Sequence, residues 1–459
     1  MGYKTLNPFT GKTTKSFEEM TKQALQEKLQ TADKCFKYWR NTTFAERKKV
    51  VQRIADLMRE RADDLAALIT LEMGKRIKES KGEVELSASI FEYYATNAEE
   101  FLADKPLSPG KGSAYITNEP IGVVLGIEPW NFPYYQVARV AAPNVMAGNC
   151  IMLKHASNVP QCALAIQQLF DDAGAPAGLY TNLFITSDKI EDLLADPIIK
   201  GVALTGSEGA GASVAAIAGK NLKKSVLELG GSDPFIVLED AEMDKTVKFA
   251  VQARMQNCGQ ACTAAKRFIV MDKVYDEFLD KFTAALSKME PGDPMDEATT
   301  LGPLSSKSAL EDLEEQVEKS VKAGAKLALG GKRFDREGYF MQPTVLTDIP
   351  EHAEAYHEEL FGPVASVYRV SSEDEAVQLA NATRFGLGGA IFTANEEHGR
   401  KLAARINTGM VFINHPTGSQ PDLPFGGTNQ SGYGRELSSL GIEEFINKKL
   451  VRTSDINDR

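Results

Sequence analysis

Along residues 50–69 the apolar positions Val50, Ile54, Leu57, Met58, Leu65, Leu68 and Ile69 recur close to i, i+4, i+7 and i+8, with arginine and aspartate between them. That spacing puts the apolar side chains on one face of a helix and the charges on the other, which predicts a packing helix with a solvated face. Residues 15–105 read as mostly helical in this way. From residue 122 the pattern changes to short apolar runs separated by helical stretches: "GVVLGI" (122–127), "CIMLK" (150–154), "LYTNLFIT" (179–186) and "GVALTGS" (201–207). Strand spacings of about 20–30 residues are those of βαβ units in a parallel sheet, and such sheets bind ligands just beyond the carboxyl ends of their strands.

A second series starts at "SVLELGGSDPFIVLED" (225–240), two strand-like runs hinged at Gly230, Gly231 and Pro234. Strand runs at 268–271, 390–394 and 409–414 and helices near 275–289 and 308–323 extend it into a second α/β unit. The final "FINKKLVRT" (445–453) reads as a strand with no core of its own, and "GSAYITNEP" (112–120) is a candidate partner. Open edges of this sort find partners in oligomers.

The 459-residue chain is too long for one core, so the alternation implies two or three domains. A net charge of −11 argues against a nucleic-acid or anionic-membrane surface. No apolar run approaches the roughly 18 residues of a membrane span, and "MGYKTLNPFTGK" has no apolar signal region. A cytoplasmic protein is expected. Five cysteines is an odd number in a reducing compartment, and the five histidines are scattered without zinc-ligand spacing, so no metal is expected.

Four features could carry chemistry, each with a plain alternative. Cys262 in "QNCGQACTAAKR" follows a Gly-Gln pair, as at the start of a helix where the dipole favours a thiolate; an inert buried thiol fits the spacing equally well. Glu228, inside "VLELGG" at a strand end, is costly to bury unless paired, protonated or functional. Asn131 in "PWNFP" is either an amide donor to an oxyanion or ordinary turn chemistry. The loop "LTGSEGAG" (204–211) runs G-x-x-G-x-G, a tight turn or a phosphate seat at a helix N-terminus aided by Ser207.

Together "PWNFP", "LTGSEGAG", "LELGGSDP", "NCGQAC", "EELFGPV" (358–364) and "PFGGTNQSGYGRE" (424–436) resemble the aldehyde dehydrogenase superfamily, in that family's order and spacing and over essentially the whole chain. The resemblance implies an α/β fold with a Rossmann-type cofactor domain (1–106 and 123–230), a second α/β catalytic domain (231–436) and a small oligomerisation element (107–122 and 437–459). It also implies a homodimer or homotetramer. By the same resemblance Cys262 is the nucleophile, Asn131 and the Cys262 N–H hold the oxyanion, and Glu228 activates water. Lys154, Ser157, Trp130, Gly206, Ser207, Gly211, Glu359 and Phe361 fall at the family's cofactor-binding positions.

Where the family commonly reads K-P-S-E this chain reads "KHAS". Neutral Ser157 in place of a glutamate removes a charge that would repel a 2′-phosphate, so NADP is expected as cofactor, with NAD also accepted. "KHASN", "LELGGSDPFIVL" and "CTAAKRFI" are most similar to the branch that oxidises succinate semialdehyde. Arg139 matches an arginine used by semialdehyde enzymes, and Ser419, in the loop before "PFGG", is a candidate substitute hydrogen-bond donor for a carboxylate. A second arginine of that branch is replaced here by Gln256, which leaves other semialdehydes and small neutral aldehydes as alternatives. Glu228 speaks against acyl transfer to coenzyme A. Cys258, four residues from the nucleophile, is either loop packing or the partner of a reversible, regulatory disulfide.

Overall fold

The computed structural model describes residues 2–456. Two sheets dominate it. In the first, five parallel strands lie in the order Lys224–Glu228, Ile199–Thr205, Val123–Glu128, Cys150–His155, Tyr180–Asn182, and the short strand Gly432–Tyr433 adds antiparallel to Lys224–Glu228. Chain order reverses between Val123–Glu128 and Ile199–Thr205, which are adjacent. That is a topological switch point, where the loops leaving two neighbouring strands diverge and open a crevice.

The second sheet runs Lys326–Leu329, Thr344–Thr347, Val364–Val370, Ala265–Met271, Asp233–Val237, Ala390–Phe392, Phe412–Ile413, all parallel except the first pair. Both its faces are covered. Phe235, Val237, Phe268 and Val270 enter one core, while Ile236, Leu238, Ile269 and Met271 enter another. Burial on both faces is why these strands read as continuous apolar runs rather than as alternating ones.

The terminal strand Ile446–Thr453 pairs antiparallel with Ser113–Pro120, as the sequence suggested, and Lys105–Leu107 completes a three-stranded sheet. Among the described residues no helix is long and apolar enough to cross a membrane.

Three expectations need revision. The helix read over 50–69 is two helices, Phe44–Glu60 and Ala62–Met73, broken at Arg61 (φ −113°, ψ 22°); the apolar face continues across the break with no Gly or Pro to signal it. A hairpin, Tyr3–Asn7 with Lys12–Phe17, precedes the helices, and Lys4 N–H donates to the Ser157 carbonyl. The strand Val364–Val370, in the middle of the second sheet, begins at the last residue of "EELFGPV" and is a further parallel strand beyond those expected.

Candidate active site

Three loops converge on Cys262. The first leaves Val123–Glu128 and carries Trp130 and Asn131. Lys75 Nζ donates to the Asn131 carbonyl (2.8 Å), as does Asn257 Nδ2 (3.0 Å), which fixes the backbone at this residue from two sides. Lys75 is itself paired with Glu83, whose other oxygen accepts from the Tyr134 N–H (2.9 Å). A fully buried ion pair thus anchors the loop and the start of the helix that follows.

The second loop is the nucleophile loop. Asn257 (φ 52°), Cys258 (φ 54°) and Gly259 (φ 75°) form a run of three left-handed residues. Two of them pay the Cβ cost that only glycine escapes, so surrounding contacts have to impose the shape. Those contacts are present: Asn257 N–H donates to Glu79 Oε1 (3.1 Å), and buried Gln260 Nε2 donates to the Asn257 carbonyl (3.1 Å) while its Oε1 accepts from the Ser305 N–H (2.9 Å). At Gly259 a Cβ would lie 2.2 Å from the Gly362 carbonyl oxygen, so no side chain fits there.

Beyond the loop Cys262 leads into the strand Ala265–Met271, not into a helix. The helix-dipole argument for its thiolate therefore falls, and side-chain charges take its place. Burial pushes the thiol up to about 12; Lys266 and then Arg139 pull it down, and the charges of Glu228 and Glu359 push it up. Cys258 packs into the core of the second sheet, where burial holds its thiol near 12, whereas Cys262 packs against the core of the first.

The third loop ends Lys224–Glu228. Glu228 is 1 % exposed, and burial together with the charge of Glu436 raises its carboxyl to about 8, with Arg139 opposing. Among the described residues, no well-aligned hydrogen bond reaches either oxygen of Glu228 or of its buried neighbour Glu128. Glu128, Glu228 and Glu436 share Arg139 as their common cation.

Arg139 itself is placed otherwise than expected. Every residue of its helix, Tyr135–Ala147, is buried. Its Nε lies 2.8 Å from Glu436 Oε2 as an ion pair, one amino group donates to Gln136 and to Thr205 Oγ1 (3.2 Å), and the other approaches the Tyr135 hydroxyl at 3.4 Å. With its donors occupied it does not line the substrate cavity. Its influence passes through Tyr135, whose hydroxyl donates to Ser419 Oγ at 2.6 Å.

Two cavities meet at Cys262. One, of about 250 Å³, is lined by Trp130, Asn131, Gly206, Ser207, Glu359 and Phe361 with Cys262. The other, of about 220 Å³, holds Tyr135, Gln256, His415 and Ser419, and neither lysine nor arginine is in its wall. Lys154, Ser157 and Gly211 lie outside the first cavity. Gly211 packs a helix on Leu229, where a Cβ would come within 2.6 Å. Lys154 is half-buried, its pKa lowered by burial, and no acid pairs with it among the described residues.

Comparison with known proteins gives the family. The family model described as "Aldehyde dehydrogenase family" matches residues 1–451. The chain belongs to the aldehyde dehydrogenase family. Among its relatives is a succinate-semialdehyde dehydrogenase [NADP(+)] of Deinococcus radiodurans, 53% identical over 450 residues, which cover 98% of this chain and 94% of the relative. One of the same description from Mycobacterium tuberculosis is 49% identical, covering 97% of this chain and 98% of its own. Among solved structures, a succinic semialdehyde dehydrogenase from Streptococcus pyogenes in complex with NADP+ superposes with a TM-score of 0.97 at 46% identity, covering 99% of this chain and all of the other (100%).

Sequence reasoning passed over Lys75, Glu83, Gln260, Glu128 and Lys266. A signal existed for the last two: like Glu228, each is a charge inside an apolar run that reads as a strand or strand end.

Proposed function

We propose that this aldehyde dehydrogenase oxidises succinate semialdehyde to succinate with NADP, accepting NAD as well. The observation that carries the reading is the meeting of the two cavities at Cys262, one with cofactor-binding residue types and one with a wall of neutral hydrogen-bonding groups. Cys262 attacks the aldehyde carbonyl to give a thiohemiacetal, whose oxyanion takes hydrogen bonds from Asn131 Nδ2 and the Cys262 N–H. Asn131 Nδ2 now donates to the Gln260 carbonyl (3.2 Å) and would transfer that bond to the oxyanion. A nicotinamide cofactor held in the first cavity would supply the hydride acceptor needed to convert the thiohemiacetal into a thioester. Glu228 then takes a proton from the water that hydrolyses the thioester. Its raised pKa suits a base that must release the proton again near neutral pH.

The residues present fit NADP. The half-buried ammonium of Lys154 has no competing acid, Ser157 brings no charge against a phosphate, and Ser207 caps the helix Glu208–Lys220 at the cavity mouth. Lys154 and Ser157 would hold the adenosine ribose phosphate, and Glu359 the nicotinamide ribose. A substrate carboxylate would be received by the Tyr135 and Ser419 hydroxyls, with the charge of Arg139 one layer behind them. The absence of a cation in the wall itself supports a second reading, in which small neutral aldehydes are also turned over. The outer edge of Ile446–Thr453, with Leu450 exposed, supports a homodimer or homotetramer built on the three-stranded sheet.

The test is a panel of succinate semialdehyde, glutarate semialdehyde and a short neutral aldehyde, each with NADP and with NAD and without coenzyme A, followed by absorbance of the reduced cofactor. The expected result is highest kcat/KM for succinate semialdehyde and an NADP/NAD ratio above one. A ratio well below one sinks the cofactor assignment. A preference for the neutral aldehyde sinks the substrate assignment.

A further inference from the structure

Lys266 is 1 % exposed, the second residue of the central strand of the second sheet, four residues after the nucleophile. An ammonium has three N–H donors and no acceptor, so burying one is tolerable only where three acceptors meet it. Here they do: the Ala261 carbonyl at 2.8 Å, the Cys262 carbonyl at 2.6 Å and Glu359 Oε1 at 2.8 Å. The same Glu359 oxygen accepts from the Gly231 N–H at 3.2 Å. At Gly231 a Cβ would lie 2.6 Å from the Cys262 carbonyl oxygen and at Gly230 one would lie 2.6 Å from Glu359 Oε2, so the three groups are pressed together with no slack.

We propose that Lys266 is a positioning residue that joins the cofactor seat to the nucleophile. Through the Ala261 carbonyl it fixes the peptide whose N–H, that of Cys262, faces the oxyanion, through the Cys262 carbonyl it holds the next peptide, and through Oε1 it turns the second oxygen of Glu359 towards the first cavity. Its positive charge offsets that of Glu359 beside the thiol. The inference rests on the proposed reading of Glu359 as the ribose-binding carboxylate and Cys262 as the nucleophile. The charged groups acting on the sulfur are Lys266, Arg139, Glu228 and Glu359, so exchanging the first and the last should shift the thiol in opposite senses.

The experiment is alkylation of the cofactor-free enzyme by iodoacetamide across pH, with KM for NADP measured in parallel, in Lys266→Met, Glu359→Gln and the double variant. In Lys266→Met the midpoint moves up, so alkylation at a fixed pH below it slows about tenfold, and KM for NADP rises more than kcat falls. In Glu359→Gln the midpoint moves down, with alkylation about threefold faster, while KM for NADP again rises. The double variant returns towards wild type in alkylation alone. Two variants moving the midpoint in the same direction, as general loosening would, overturn the proposal. So does a Lys266→Met profile that overlays wild type. Should Lys266→Met not fold, Glu359→Gln decides by itself: a midpoint that fails to fall overturns it. Alkylation needs no turnover, so a wild-type enzyme that fails to oxidise aldehydes would refute the functional reading without touching this result.

Discussion

Two buried charge clusters flank Cys262, and they are built differently. On one side Arg139 faces three buried carboxylates, Glu128, Glu228 and Glu436. On the other, each donor of Lys266 has an acceptor, one carboxylate and two carbonyls, and its charge also reaches buried Asp233. Arg139, even with Arg435 also acting on Glu228, does not neutralise three acids in low dielectric, so protons stay on the acid-rich side and can be exchanged there. The lysine with every donor matched serves as a fixed brace. Acid–base chemistry therefore belongs with the surplus of carboxylates, and geometry belongs with the matched lysine.

The strongest way to break this contrast is Glu228→Gln. Loss of the base should slow steady-state turnover by about 10²–10³-fold, while a single burst of reduced cofactor, equal to the enzyme present, survives because acyl-enzyme formation does not need it. Stopped-flow absorbance measures both, and a burst lost together with the steady state would move Glu228 to the first half-reaction.

Next in size is Arg139→Met. It removes the cation that the three acids share, and removing one member of a buried pair costs about 3–5 kcal/mol. Urea unfolding should show a loss of that order, with KM for succinate semialdehyde rising less than in a Ser419→Ala variant. A variant of wild-type stability with a large, selective KM effect would return Arg139 to the substrate wall.

The smallest effect concerns stability against pH. The Glu228 carboxyl is raised from 4.5 to about 8, so the folded chain binds its proton more tightly than the unfolded one. The stability this contributes is complete below about 4.5 and is lost as pH climbs through 8. Glutamine carries no such dependence. Thermal melts should show Glu228→Gln gaining a few degrees on wild type between pH 5 and pH 9, and parallel curves would show that the acid-rich cluster does not hold its protons.

Much of the site could be read along the chain because each part follows a strand. Trp130 and Asn131 come after Val123–Glu128, Gly206 and Ser207 after Ile199–Thr205, and Glu228 ends its own strand, so parallel packing alone gathers them at one crevice. The pairing of the terminal strand with Ser113–Pro120 was offered by the sequence because a strand with no core of its own needs a partner, while the register came from the structure. The break at Arg61 was not, because helical periodicity continues through it.

The order of the motifs, the residue types at the thiol, amide and carboxylate, and the neutral Ser157 were fixed by sequence, since each is a local fact of spacing and charge. Which way a side chain turns once buried is not local. Tertiary structure decided that Arg139 spends its donors on Glu436, Gln136 and Thr205, that Cys262 opens a strand rather than a helix, and that Lys266 reaches Glu359 ninety-odd positions away. A buried charge goes to whichever opposite charge or carbonyl the packed core brings within about 3 Å, and that partner is chosen by the meeting of distant elements.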